Sequence, residues 1–198
     1  MNPYLAITLV MCGVIFLSLA ATAYMAVYFT RRAKVDLEQM LLPLAGVIDG
    51  EANVDDAVVE GRRNGKLAFG RMAHADGGPV RVFQTELIDA AGGERWLYVE
   101  YPAQGTTVLR PEGSPLREEL LPLLQDNLAT KLGVQEGWFQ LDYSPTGGYV
   151  RLSVPMSTRR DIPGEDVFRR QLDVLDRLSD ANRRLQERLA SQGTDASE

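Results

Sequence analysis

Side chains able to do chemistry are few and scattered in this chain. His74 is the only histidine, and it stands in the Gly/Ala/Asp-rich stretch AHADGG. A Ser-His-Asp arrangement needs a serine set on a sharp turn, and no G-x-S-x-G elbow occurs. Cys12, the only cysteine, lies inside an uncharged apolar run, an unsuitable place for a nucleophile, and it excludes any intramolecular disulfide. Neither H-E-x-x-H nor C-x-x-C is present to hold zinc. Neither G-x-x-x-x-G-K-[ST] nor G-x-G-x-x-G offers backbone amides to phosphates. The Gly pairs at 77–78, 92–93 and 147–148 read as turns.

Carboxylates are plentiful. Glu86, Glu100 and Asp142 fall on predicted strands, and two that faced each other across a cleft would suit acid–base work. Their spacing singles out no pair, so a solvated sheet face is the leading reading. Residues 49–60, DGEANVDDAVVE, place oxygen side chains at positions 1, 3, 5, 7 and 12, as a calcium loop does. Position 6 is Val54, where the tight turn needs Gly, and the stretch is read as a solvated acidic loop. Trp96, Tyr98, Trp138, Phe139 and Tyr149 gather aromatic surface on the predicted sheet. Core packing leads there, with a peptide- or lipid-facing groove as the alternative. No catalytic, cofactor-binding or metal residue is assigned, and no cofactor is expected.

The stretch that must place everything else is Leu5 to Phe29, which holds no charged residue. A run of 25 exceeds the roughly 20 residues that a helix needs to cross a bilayer core. A cleaved signal peptide is the rival, since Ala21-Thr22-Ala23 fits a small-x-small site. No Lys or Arg precedes the run, however, and it continues through Phe29, so an uncleaved anchor is expected. Arg31, Arg32 and Lys34 follow directly, which predicts an outside N-terminus and a cytoplasmic remainder. With only residues 1–4 expected outside, an ordinary extracellular receptor is not expected. Ser18, Thr22 and Ala26 form a small-residue stripe that would let two anchors approach, though such stripes are common in single spans.

All 27 acidic residues lie beyond Lys34, as do 18 of the 21 basic ones. A domain with that surplus of carboxylates is a poor partner for nucleic acid, which demands phosphate neutralisation. It should also be repelled by anionic lipid, except at the basic collar.

Beyond the collar, 35–48 has a partly helical apolar pattern, and Pro43 should kink or interrupt it. Strand signals flank Asn64-Gly65, a pair favoured in two-residue hairpin turns. Val80–Asp89 and Glu94–Tyr101 read as a second hairpin, and Thr106–Leu109 as a short added strand, making a meander of four or five. Ser114-Pro115 starts a Leu-rich helix that Gly133 closes, with a break expected near Pro122. Gly137–Tyr143 and Tyr149–Pro155 form a third hairpin, with Val150, Leu152 and Val154 on its buried side. Glu165 and Asp166 open a last helix running to about Ala190. In it Phe168, Leu175, Asn182 and Leu189 recur every seven residues, with Gln171, Leu178 and Leu185 between them, a weak parallel zipper pattern. Its first half suits packing on the domain, and residues 181–189 are expected to project and pair. The order of elements resembles the layout of the small chaperones of type III secretion; no motif accompanies it, and no family is assigned.

The expected fold is α+β. Residues 1–30 form a transmembrane anchor, and 31–48 a basic collar with a juxtamembrane helix. Residues 49–163 form an antiparallel sheet domain with packed helices. Residues 164–190 form a long amphipathic helix and candidate short coiled coil, and 191–198 a disordered tail. The expected role is a single-pass, membrane-tethered, noncatalytic binding or assembly module with a cytoplasmic domain. The alternative is a membrane-bound enzyme using carboxylates on the sheet. Expected partners are the lipid bilayer, another protein (a membrane protein among the candidates) and a second copy through the C-terminal helix, but not nucleic acid.

Overall fold

A computed structural model describes residues 3–75, 78–88, 92, 94–110, 122–124, 127–134 and 137–195. The chain divides into two compact units, Met1–Gln39 and Met40–Glu198. A single helix, α1 (Pro3–Val47), begins in the first and ends in the second. Its part from Ile7 to Arg32 is exposed on every side. It is the one helix among the described residues long and apolar enough to cross a membrane. The hydroxyls of Thr8, Thr22 and Thr30 in it need no water, because they donate to the carbonyls four residues back at 2.9, 2.8 and 2.8 Å.

Pro43 does not interrupt the helix as expected. It removes one backbone hydrogen bond, but Leu41 and Leu44 on either side are fully buried and hold the turn. Asp49 then takes a left-handed conformation, and the Gly50 amide donates back to the Ala45 carbonyl at 3.0 Å, which ends the helix.

The second unit is built on one eight-stranded antiparallel sheet. Its strands are β1 (Glu51–Asn53), β2 (Val58–Arg63), β3 (Lys66–His74), β4 (Arg81–Ile88), β5 (Trp96–Tyr101), β6 (Thr106–Arg110), β7 (Phe139–Ser144) and β8 (Tyr149–Pro155). They lie in the order β1-β2-β3-β4-β8-β7-β5-β6. Asn64 and Gly65, both at positive φ, make the expected tight turn between β2 and β3. The expected pairing of β4 with β5 is not formed. β4 lies against β8 and β5 against β7, so the third hairpin is inserted between the halves of the expected second one. β1 takes part of the expected acidic loop into the sheet. The remaining turn closes on itself, with Asn53 Oδ1 accepting the amides of Asp55 and Asp56 at 3.0 and 3.2 Å.

Most of the expected Leu-rich helix lies outside the described residues. What is described includes a short helix, α2 (Leu128–Leu132), which ends at Gly133 as expected. The last helix, α3 (Glu165–Asp195), continues past Ala190. It crosses one face of the sheet, over β4 and β8, and touches α2. Phe168, Leu172, Leu175, Leu178, Ala181 and Leu185 are buried there. From Phe168 to Leu185 the seven-residue stripe is thus occupied by the chain's own domain, and Ala181, Asn182 and Leu185 do not project as expected. Three residues fix the same helix to the β2–β3 hairpin. Arg63 donates to Asp173 at 2.6 Å, Asn64 to Asp176 at 2.8 Å, and Lys66 to Asp176, Ser179 and Asp180 at 2.7, 2.8 and 3.1 Å.

Phe168 is fully buried and meets Phe83 edge-to-face at 6.2 Å between centroids. Its ring fills a notch left by Gly70 on β3. A Cβ at position 70 would lie 2.8 Å from Val59 Cγ2 and 3.0 Å from Phe168 Cε2. Gly70→Ala should therefore destabilise the full chain by about 1–3 kcal/mol through overpacking. Combined with Phe168→Leu it should cost less than the sum of the two single changes, because one steric contact is counted twice. Urea unfolding in detergent reads this, and strict additivity would mean that Phe168 does not occupy the notch.

Candidate functional site

Alternation along each strand sends half of the sheet's side chains away from α3. On that face one row runs Glu86 on β4, Arg151 on β8 and Asp142 on β7, directly paired in register. Arg151 holds Asp142 side-on, Nε to Oδ1 at 3.0 Å and Nη2 to Oδ2 at 3.1 Å, and its guanidinium carbon lies 5.0 Å from the centre of the Tyr149 ring. Arg71, on β3, donates from Nη2 to Glu86 Oε2 and from Nε to Gln84 Oε1, both at 3.0 Å. The carboxylates are not solvated, contrary to expectation: Glu86 is 7% exposed and Asp142 0%. Burial pushes the Glu86 carboxyl above its usual range. The charges of Arg71 and Arg151 pull it back, and that of Asp142 adds to the rise.

The structure therefore brings Glu86 and Asp142 together, through an arginine that the sequence reading had not singled out. Glu100 is elsewhere, on the α3 side of the sheet. It accepts from Tyr98 Oη at 2.6 Å, and burial first, this bond second, push the Tyr98 phenol up. Trp96, Tyr98 and Phe139 belong to the core rather than to an exposed groove. Trp96 stacks on Tyr143 at 6.2 Å, and Tyr98 lies 6.0 Å from Phe139. Trp138 and Tyr149 are half-buried.

His74 is the last residue of β3, paired in register with Arg81 at the start of β4. It opens on a cavity of about 220 Å³. Arg81 and Arg159 line that cavity with it, along with Ser157 and Thr158, over Ala57, Met72 and Met156. Carboxylates converging on His74 would have favoured an enzyme, but the cavity's described ionisable lining is basic. Among the described residues no group of three or more His, Cys, Asp or Glu is placed to hold a metal ion. Neither Arg81 nor Arg159 was legible in the sequence as lining one cavity with His74, because they come from a strand start and a turn 78 residues apart and share no motif.

Fold and site define an α+β domain with an eight-stranded antiparallel sheet and one long apolar N-terminal helix. No family model, curated protein or solved structure matches the chain.

The buried row has a pH consequence. Glu86 binds its proton more tightly folded than unfolded, so its contribution to stability is full in acid and is lost as pH rises through the folded pKa. Glu86→Gln removes that loss. The stability of the variant relative to the parent should rise between about pH 4 and pH 7, a range that begins near the unperturbed glutamate value. Parallel urea titrations check this, and a relative stability that falls over the same range would mean that Arg71 and Arg151 outweigh burial.

Proposed function

We propose that this chain is a membrane-tethered, noncatalytic binding or assembly module, held by α1 with residues 31–198 in the cytoplasm. One observation carries the reading. The exposed large apolar side chains among the described residues run from Tyr4 to Leu42, and only Leu67 and Val80 fall outside that stretch. Among its described residues the domain leaves few large apolar side chains exposed, while the helix from Ile7 to Phe29 has no protein cover in this chain. An apolar surface of that extent needs lipid or protein around it, and a helix satisfies its own backbone in hydrocarbon. The threonine hydroxyls turned onto their own helix agree with lipid. Arg31, Arg32 and Lys34 supply the cytoplasmic flank.

The noncatalytic reading is supported by the state of the sheet carboxylates. A general acid or base must reach a substrate proton. Glu86 and Asp142 are buried and held by arginines. The enzyme alternative would need one of them to leave its partner.

In a bacterial host the full chain should stay with membranes through an alkaline carbonate wash, and deletion of residues 1–30 should release it. A reporter fused after Glu198 should be active when it is of the cytoplasmic kind and silent when it is of the exported kind. Release of the full chain by carbonate would overturn the anchor, and an active exported reporter would overturn the orientation.

A further inference from the structure

We propose that the cavity between the β5–β6 hairpin and α2 binds a primary ammonium group on an aliphatic stem, the chemistry of a lysine side chain. The inference goes beyond tethering and does not depend on where α1 lies. Its first support is charge. Glu100 is the only carboxylate in the described lining, and no Lys, Arg or His accompanies it there. The bond it accepts comes from Tyr98, a neutral phenol, and among the described residues it pairs with no cation. The carboxylate is half-buried, so water answers its charge only in part.

Hydrogen bonding selects the cation. Tyr98 Oη donates to Glu100 Oε2 at 2.6 Å, and the Thr107 hydroxyl bonds the same phenol. Burial and Glu100 push the phenol up, so it stays a donor across the neutral range. Oε1 is left to face the cavity alone. A guanidinium fork binds best with both carboxylate oxygens, whereas an ammonium is a compact point charge. The ammonium has three donors and no acceptor. Oε1 can take one, and the Asn127 amide oxygen and the Thr130 hydroxyl, both in the lining, can take the others.

Size and walls narrow the ligand further. At about 380 Å³ the cavity lies at the low end of the roughly 300–1,000 Å³ of small-molecule sites. Leu109, Leu124 and Leu128 offer apolar wall to a methylene stem, as lysine stems require. Leu124 and Leu128 are themselves buried in the core, and α2 is tied to α3 through the bond from Gln171 Nε2 to the Leu132 carbonyl at 3.0 Å. Walls fixed in this way reduce the ordering cost of binding. At longer range, 27 acidic against 18 basic residues beyond Lys34 give a field that draws cations in.

The amine could arrive free in solution or on a protein, and the two sources are separable. The full chain in a neutral nonionic detergent is titrated by calorimetry with n-butylammonium chloride and, separately, with Nα-acetyl-lysine methylamide. Saturable binding of at least one probe is expected, and the tighter one identifies the source. n-Butylguanidinium should bind more weakly than n-butylammonium. Glu100→Gln keeps an acceptor for Tyr98 but removes the charge, and it should weaken binding by about tenfold or more, as loss of a charge-assisted contact implies. Thr130→Val, at an exposed position where the fold is not at risk, should weaken it by about threefold or more. Glu51→Gln should leave it unchanged, since Glu51 is on β1, at the opposite edge of the sheet from β6. Circular dichroism checks that each variant is folded. No saturable binding of either amine at tens of millimolar, binding equal in parent and both cavity variants, or a preference for the guanidinium probe would overturn the site.

Discussion

A buried amide costs stability unless its hydrogen bonds are made. Gln171 sits in the middle of the α3 contact, 3% exposed, and joins three elements. Its Oε1 accepts from Thr85 Oγ1 on β4 at 2.7 Å, and its Nε2 donates to the Leu132 carbonyl at the end of α2 at 3.0 Å. Arg170 beside it donates to the Lys131 carbonyl at 3.2 Å. The last carbonyls of a helix have no partner within that helix, so α2 depends on α3 for its end. Apolar burial on either side of Gln171 supplies attraction without direction; this polar bridge sets the position of α3 along the sheet.

The charged clasp at the β2–β3 hairpin works in the same sense at lower stakes. Asp173, Asp176 and Asp180 lie on one side of α3 and meet Arg63, Asn64 and Lys66. Partial burial alone would raise the Asp176 carboxyl, but bonds from Lys66 and Asn64 hold it below its usual range. That contribution is present above the unfolded pKa and fades as pH falls through the folded one. The partners are partly exposed, so the clasp is screened by solvent and serves position more than stability. Farther along, Asn182 is fully buried with neither amide atom hydrogen-bonded. An orphaned group of this kind costs about 1–3 kcal/mol, which makes its turn the weakest part of the docked stripe.

Local chemistry was legible and long-range partnership was not. Asn64-Gly65 specifies a tight turn by its own conformational preferences, so the β2–β3 hairpin could be read directly. β4 could be read as a strand, but nothing in RVFQTELI names its neighbour. Val82 to Leu87 is buried on both faces, the mark of a central strand, and its partner β8 follows 60 residues later. The stripe of α3 was equally visible, yet the same spacing serves a zipper or a sheet. Gln171 and Asn182 looked like polar interruptions of a zipper seam. One proves to be the bridge that positions the helix, and the other an unsatisfied group inside the domain. Glu86 and Asp142 were visible as strand carboxylates, while Arg151, which joins them, became meaningful only once β8 lay between their strands.

All of this makes α3 part of the domain rather than an arm held out for a partner, and hydrogen exchange on the full chain in detergent tests that claim most directly. Amides from Leu172 to Leu185 should exchange as slowly as those of β4 and β8, because opening the helix would expose the sheet beneath it. Rapid exchange from Leu178 to Leu185, beside a protected sheet, would contradict the docking and return the distal half of α3 to a role between chains.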